Sequence, residues 1–232
     1  MSDVVDLWPV LLSCRQIDAV DEQLAQALGL DPLKHKSAGL VTCDQDDSMY
    51  IALDHATKLA RVDVVFAKSF YAGSKHASGP FSGEILGIVA GADPDEVSEG
   101  LFALREHLRV VRFQTFAGDR VQAAGAPAFL AHVVTETGTY LSAQAGIKSG
   151  DALGYFIAPP LESVMAVDAA LKVAGVRLAK LIEPPSETNF GGAFLAGSIA
   201  SLEAARDAFV DAVRDVMLQP LASARRPDRL RR

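Results

Sequence analysis

Residues 52–62 read Ala52-Leu-Asp54-His-Ala56-Thr-Lys58-Leu-Ala60-Arg-Val62, and residues 166–176 read Ala166-Val-Asp168-Ala-Ala170-Leu-Lys172-Val-Ala174-Gly-Val176. Six positions agree in register without a gap, at an offset of 114 residues in a chain of 232. A repeat of about half the chain decides the fold: two copies of one unit, not one long domain. In each copy the alanines recur every fourth residue, so they share one helix face and let it lie close against a sheet or another helix.

Working outward, Val62–Phe66 is β-branched and aromatic and reads as the strand after that helix. Before the helix, Ser37–Cys43 reads as a strand, and Asp44, Asp46 and Asp47 as an acidic turn whose carboxylates suit the positive end of a helix. After the strand comes Ser69–Gly83, a loop too long for a hairpin and of a length that is usually either functional or disordered. Glu84–Ala90 is the next strand, and Asp93-Pro94-Asp95-Glu96 opens a helix with an N-cap aspartate, proline at the first helical position and a capping-box glutamate. Residues 11–30 add a strand and a helix, with Gly29 placed to end it.

The second copy repeats this order, and residues 130–147 echo residues 12–30. Gly154–Ala158 is a strand, the helix 161–174 ends at Gly175, Val176–Leu181 is a strand, and Glu183–Gly192 a loop before strand 193–199 and helix 202–218. Each copy therefore predicts strand, helix, strand, helix, strand, long loop, strand, helix. That is an α/β (α+β) unit with helices covering a small sheet. The expected units are residues 1–112 and 113–220, followed by an arginine-rich tail at 221–232. The copies differ at Pro159-Pro160, which replaces the acidic turn, and in the long loop, which is shorter in the second copy.

An apolar fraction of 50% suffices for a buried core. Met1–Leu12 holds Asp3 and Asp6 and no basic leader, so no signal peptide is expected, and no uncharged apolar stretch reaches the roughly 18 residues of a membrane span. Cys14 and Cys43 lack CxxC spacing and suit reduced thiols, so a cytoplasmic protein is expected. A net charge of −7 argues against nucleic-acid binding. The charge is uneven: five arginines and one aspartate put a local +4 in the last eight residues. A solvated tail or a docking segment for an acidic partner would both fit that tail.

No GxGxxG, Walker loop or GxSxG elbow occurs, so no enzyme of those classes, no catalytic residue and no cofactor is expected. His35, His55, His76, His107 and His132 lack HxH or HExxH spacing and are expected at the surface or at caps, not on a metal. Asp44-x-Asp46-Asp47 resembles the start of a calcium loop, but Met49 and His55 stand where an EF-hand needs Gly and Glu. What remains is charge beside aromatic side chains: Asp44, Asp46, Asp47 and Glu84 near Phe70, Tyr71, Phe81, Phe113 and Phe190. These are capping acids and core aromatics on one view. On the other they are a site for a small ammonium compound, held by charge-assisted hydrogen bonds and a cation–π contact.

Asp44-x-Asp46-Asp47-x-x-Tyr50-Ile-Ala52, Ser69-Phe-Tyr-Ala-Gly73, Ala128-Phe-Leu-Ala-His-Val-Val134, Ala158-Pro-Pro-Leu-Glu162 and Pro184-Pro-Ser-Glu-Thr-Asn189 together resemble the L-type shell proteins of ethanolamine-utilisation bacterial microcompartments, over about Asp6 to Val216. The resemblance implies two tandem, circularly permuted microcompartment domains. It also implies a homotrimer forming a flat pseudohexamer, assembly with other shell proteins, and a structural and transport role in place of catalysis. It assigns a gated central pore to the two loops, with Phe70, Tyr71, Ala72 and Gly73 in one and Pro185, Ser186, Glu187, Thr188, Asn189 and Phe190 in the other. It assigns a small pore that binds ethanolamine to Asp46, Glu84 and Phe113. Phe190 stands where that family usually has tyrosine. The residues taken alone leave a soluble tandem α/β small-molecule sensor as the alternative.

Overall fold

The computed structural model describes residues 4–69, 85–117, 127–173, 175–183 and 190–220. Glu84, Phe70–Gly73, Pro185–Asn189, Ala174 and the tail from 221 lie outside them. The elements run β1 (Val4–Leu7), β2 (Leu11–Ile17), α1 (Glu22–Ala27), β3 (Ser37–Cys43), α2 (Asp46–Leu59), β4 (Val62–Ser69), β5 (Ile85–Gly91) and α3 (Pro94–His107). They continue β6 (Phe113–Phe116), β7 (Leu130–Val134), α4 (Thr139–Ala145), β8 (Leu153–Ala158), α5 (Pro160–Lys172), β9 (Val176–Ile182), β10 (Gly191–Gly197) and α6 (Ile199–Leu218).

Two four-stranded antiparallel sheets share one topology, β2-β3-β5-β4 and β7-β8-β10-β9. This is the duplication expected from the repeat. The all-buried strand β8 shows how period-two alternation serves two layers. Leu153, Tyr155 and Ile157 enter one core, while Phe156 and Ala158 enter another beneath α5 and α6. The alanine faces act as predicted: Ala52 and Ala56, and likewise Ala166 and Ala170, are fully buried. Gly29 and Gly146 adopt φ of 67° and 63° where α1 and α4 end, a left-handed conformation that glycine takes without a Cβ penalty.

Three local expectations change. Asp46–Ser48 belong to α2 itself and not to a turn before it, and Gln45 occupies the N-cap. Asp93 caps α3 as expected, accepting from the N–H groups of Asp95 and Glu96, but Glu96 turns away and accepts from the Arg61 N–H at 2.9 Å. The box is left open because the α2–β4 connection offers Glu96 a donor of its own. Strands β1 and β6 pair antiparallel, a ribbon that the sequence reading did not anticipate. The ribbon joins the start of the described chain to the stretch just after residue 112. Gln45 fastens it to α2, donating to Leu7 O and accepting from the Phe113 N–H.

Helix α2 belongs to two cores. Met49, Ala52, Leu53 and Ala56 pack on the first sheet, while Ile51 packs among Leu130, Leu141, Leu153 and Tyr155 of the second half. Asp54 completes this seam. Gly138, at the N-cap of α4, has no side chain to cap with, and Asp54 takes its place: Oδ2 accepts from Gly138 N–H and Oδ1 from Leu141 N–H, both at 2.7 Å. Burial pushes the Asp54 carboxyl up, and these two N–H groups oppose that shift. Only glycine fits at 138, because a Cβ there would lie 2.3 Å from Thr57 Oγ1 and 2.4 Å from Asp54 O. Lys58 adds a third strap, Nζ to Glu136 O at 2.7 Å.

The same residues in the second copy do none of this: Asp168 is exposed and pairs with Lys172 along its own helix. Replacing Asp54 with Ala should therefore cost about 2–4 kcal/mol by stranding buried donors, against about 0.5 kcal/mol or less for Asp168→Ala. Urea unfolding of the two variants checks this, and equal costs would refute the seam.

Candidate functional site

The first turn of α2 opens onto a cavity of about 610 Å³ between the halves. Asp46, Asp47 and Tyr50 line it from α2 and Lys68 and Ser69 from β4, while Tyr140, Tyr155, Lys180 and Phe194 face them from the second half. Asp46 and Asp47 are both buried. Two carboxylates tolerate burial here because they lie on the first turn of a helix, where free N–H groups and the dipole favour negative charge. Tyr155 donates to Asp47 Oδ1 at 2.5 Å, and Asp46 Oδ1 accepts from the Asp47 N–H at 2.8 Å. Burial first and the Asp47 charge second push the Tyr155 hydroxyl well up, so it stays a donor.

The remaining wall is aromatic. Tyr50 stacks on Tyr140 with centroids 6.2 Å apart, and Tyr155 meets Phe194 edge-on at 4.6 Å. Tyr50 also holds the end of β4: its hydroxyl lies 2.5 Å from Ser69 Oγ and accepts from the Ser69 N–H. Burial pushes Tyr50 up to about 12. Carboxylates beside aromatic faces can take an ammonium group by hydrogen bonding and by cation–π attraction. Lys180 is turned onto Gln144 Oε1 at 3.3 Å. A larger recess of about 800 Å³ beside the end of α2 mixes Lys34, Lys58, Arg61, Asp63 and Glu96, and no Phe, Tyr or Trp lines it.

Of the predicted small-pore set, Asp46 lines the cavity. Phe113 is buried on β6, in the core that also holds Ile51, and its ring meets Phe190 edge-on at 6.0 Å. Glu84 lies outside the described residues, as do all the predicted gate positions except Phe190. Asp47, among the acids singled out from the sequence, lines the cavity too, whereas Tyr50, Tyr140 and Tyr155 were missed. The spacing of Asp46, Asp47 and Tyr50 at three and four residues was a usable signal for one helix face. Among the described residues no three His, Cys, Asp or Glu side chains converge as a metal site, and no helix is long and apolar enough to cross a membrane. Cys14 and Cys43 are unbridged.

No protein-family profile matches the chain. It is 47% identical over 214 residues to the bacterial microcompartment shell protein EutL of Clostridium perfringens, covering 92% of this chain and 96% of that one. It is 45% identical over 216 residues to EutL of Escherichia coli, covering 93% and 96%. The chain belongs to the EutL family of bacterial microcompartment shell proteins. The crystal structure of the ethanolamine utilization protein EutL from Leptotrichia buccalis superposes with a TM-score of 0.88 at 44% identity, covering 96% of this chain and all of that one. EutL of Clostridium perfringens superposes at 0.87, with 45% identity over 96% and 98% of the two chains. At 18% identity and a TM-score of 0.68, the shell protein PduB shares the fold. EutL relatives are named as shell proteins and not as enzymes, in keeping with the structural role that the motifs imply.

Tyr50→Phe removes both bonds to Ser69. It should cost about 1–2 kcal/mol and raise amide hydrogen exchange at Ser69 about tenfold. Unchanged exchange would show that Tyr50 does not hold the end of β4.

Proposed function

We propose that three copies of this chain close head to tail into a pseudohexameric tile of an ethanolamine-utilisation microcompartment shell in the cytoplasm, and that the cavity at the start of α2 binds a small cation such as ethanolamine. The observation that carries the ring is an unmatched copy of the seam. The repeat offset maps Asp47, Tyr50, Ile51 and Asp54 onto Leu161, Val164, Met165 and Asp168. Ile51 is 1% exposed against the second half, whereas Leu161, Val164 and Met165 on α5 are 54–59% exposed. The receiving side is unmatched too: Leu141 on α4 is 1% exposed, and its counterpart Leu24 on α1 is 42% exposed. An α5 face of one chain set against the α1 face of the next repeats the internal seam, and such heterologous contacts close into rings. Three chains give six like positions around one axis.

The ligand reading rests on the buried acids and their aromatic wall. The matching positions Pro160 and Leu161 carry no charge, so one cation site per chain is expected. The family motifs add Glu84 and Phe113 to this small pore, although Phe113 is not among the residues that line the cavity. The central pore would be gated by Phe70–Gly73 and Pro185–Phe190, an assignment that stands on their family motifs. The units 1–112 and 113–220 form the two microcompartment domains.

Light scattering should give a mass of three chains for the native protein and of one chain for Met165→Asp, and a single-chain native mass would overturn the ring. Titration calorimetry with ethanolamine should show at least a tenfold loss in Asp46→Ala, about 1.4 kcal/mol. Unchanged affinity would remove this site.

A further inference from the structure

His55 on α2 and His107 at the end of α3 lie face to face, with ring centroids 3.9 Å apart and 4° between planes. The four described histidines are all half-buried. The packed helices α2 and α3 meet here beside β7. His55 Nδ1 is buried without a hydrogen-bond partner. A charged imidazole must donate from both nitrogens, so a proton on this ring would leave one donor unmet.

The neighbouring charges favour the neutral state as well. Lys58 on α2 acts on both rings and His132 on β7 acts on His107, while Arg112, before β6, and Arg206, on α6, act on His132. The carboxylate nearest His55, Asp54, is already committed to Gly138 and Leu141, and Glu136 acts on Lys58. A helix C-terminus ordinarily favours His⁺. At His107 burial, then His55 and Lys58, overcome that preference and hold the ring down to about 3. His132 is held down to about 4 by burial, Arg112 and Arg206, and His55 is lowered by burial and Lys58.

We infer that the His55–His107 stack is an acid-released latch on α2: stacked and neutral it holds the helix against the end of α3 at the seam, and taking up a proton forces the rings apart. An unfolded histidine takes its proton near pH 6.5. His107 resists until well below that and His55 is lowered as well, so the open or unfolded state binds more protons in between. The latch is fully effective above about pH 6.5 and weakens as pH falls toward 4.

Residue-resolved exchange of the histidine C2–H, read by mass spectrometry on the full-length chain, should give a His107 midpoint below pH 5 and a His55 midpoint below the ordinary histidine value. Midpoints near 6.5 for both would overturn the latch, and this measurement needs no variant. Between pH 8 and 5 His107, neutral throughout, should raise the unfolding constant about 30-fold. His55→Phe with His107→Phe keeps two flat rings and removes both titrations. That variant should therefore lose far less stability than the native chain over the same range. An equal loss in both proteins would overturn the proposal.

Discussion

One buried carboxylate sets the relation between the halves. Asp54 lies 1% exposed between α2 and α4, and both its oxygens accept backbone N–H groups from a helix that has no cap of its own. Removing a carboxylate from water is costly unless it is well paired. Here the free N–H groups and positive end of α4 offset the cost, and the arrangement holds only while Gly138 lets the two backbones approach. Because Asp54 fixes the rotation of α2, the same helix can present Met49 and Leu53 to one core, Ile51 to the other, and Asp46, Asp47 and Tyr50 to the cavity between them.

That dependence gives the shell reading its physical content. A tile must be rigid where its parts meet and open where small molecules pass. The seam meets the first need with buried hydrogen bonds, and on the proposed function the cavity at the end of the same helix would meet the second. In the proposed ring, duplication would supply the partner surface, since the face of α5 is the face of α2 with leucine, valine and methionine in place of acid, tyrosine and isoleucine. Apolar side chains this exposed on one helix stripe suit burial against another chain.

Much of the fold was legible because it rests on local pattern. The repeat announced two copies, strand composition and glycine placement announced their elements, and Asp93-Pro94 announced a capped helix. Harder to see were features that join distant residues. Nothing in Val4–Leu7 or Phe113–Phe116 states that they pair across more than a hundred positions. Glu96 has the spacing of a capping box, yet a nearer donor at Arg61 claims it. The histidines carry no motif, and only packing brings His55 onto His107. Of the cavity, the acids on α2 could be read from the sequence. Tyr155 could not, because its hydroxyl finds Asp47 only after β8 is laid against α2.

The repeated motif shows where the division falls. By itself the sequence determined that residues 52–62 and 166–176 form equivalent helices with a small-residue face, since helical period and side-chain size are local properties. It could not say that Asp54 would be buried as the clamp between the halves while the identical Asp168 would sit in solvent beside Lys172. The two residues share a side chain and nearly a local sequence. What differs is the surface each helix meets within one chain, and only the tertiary structure decides that.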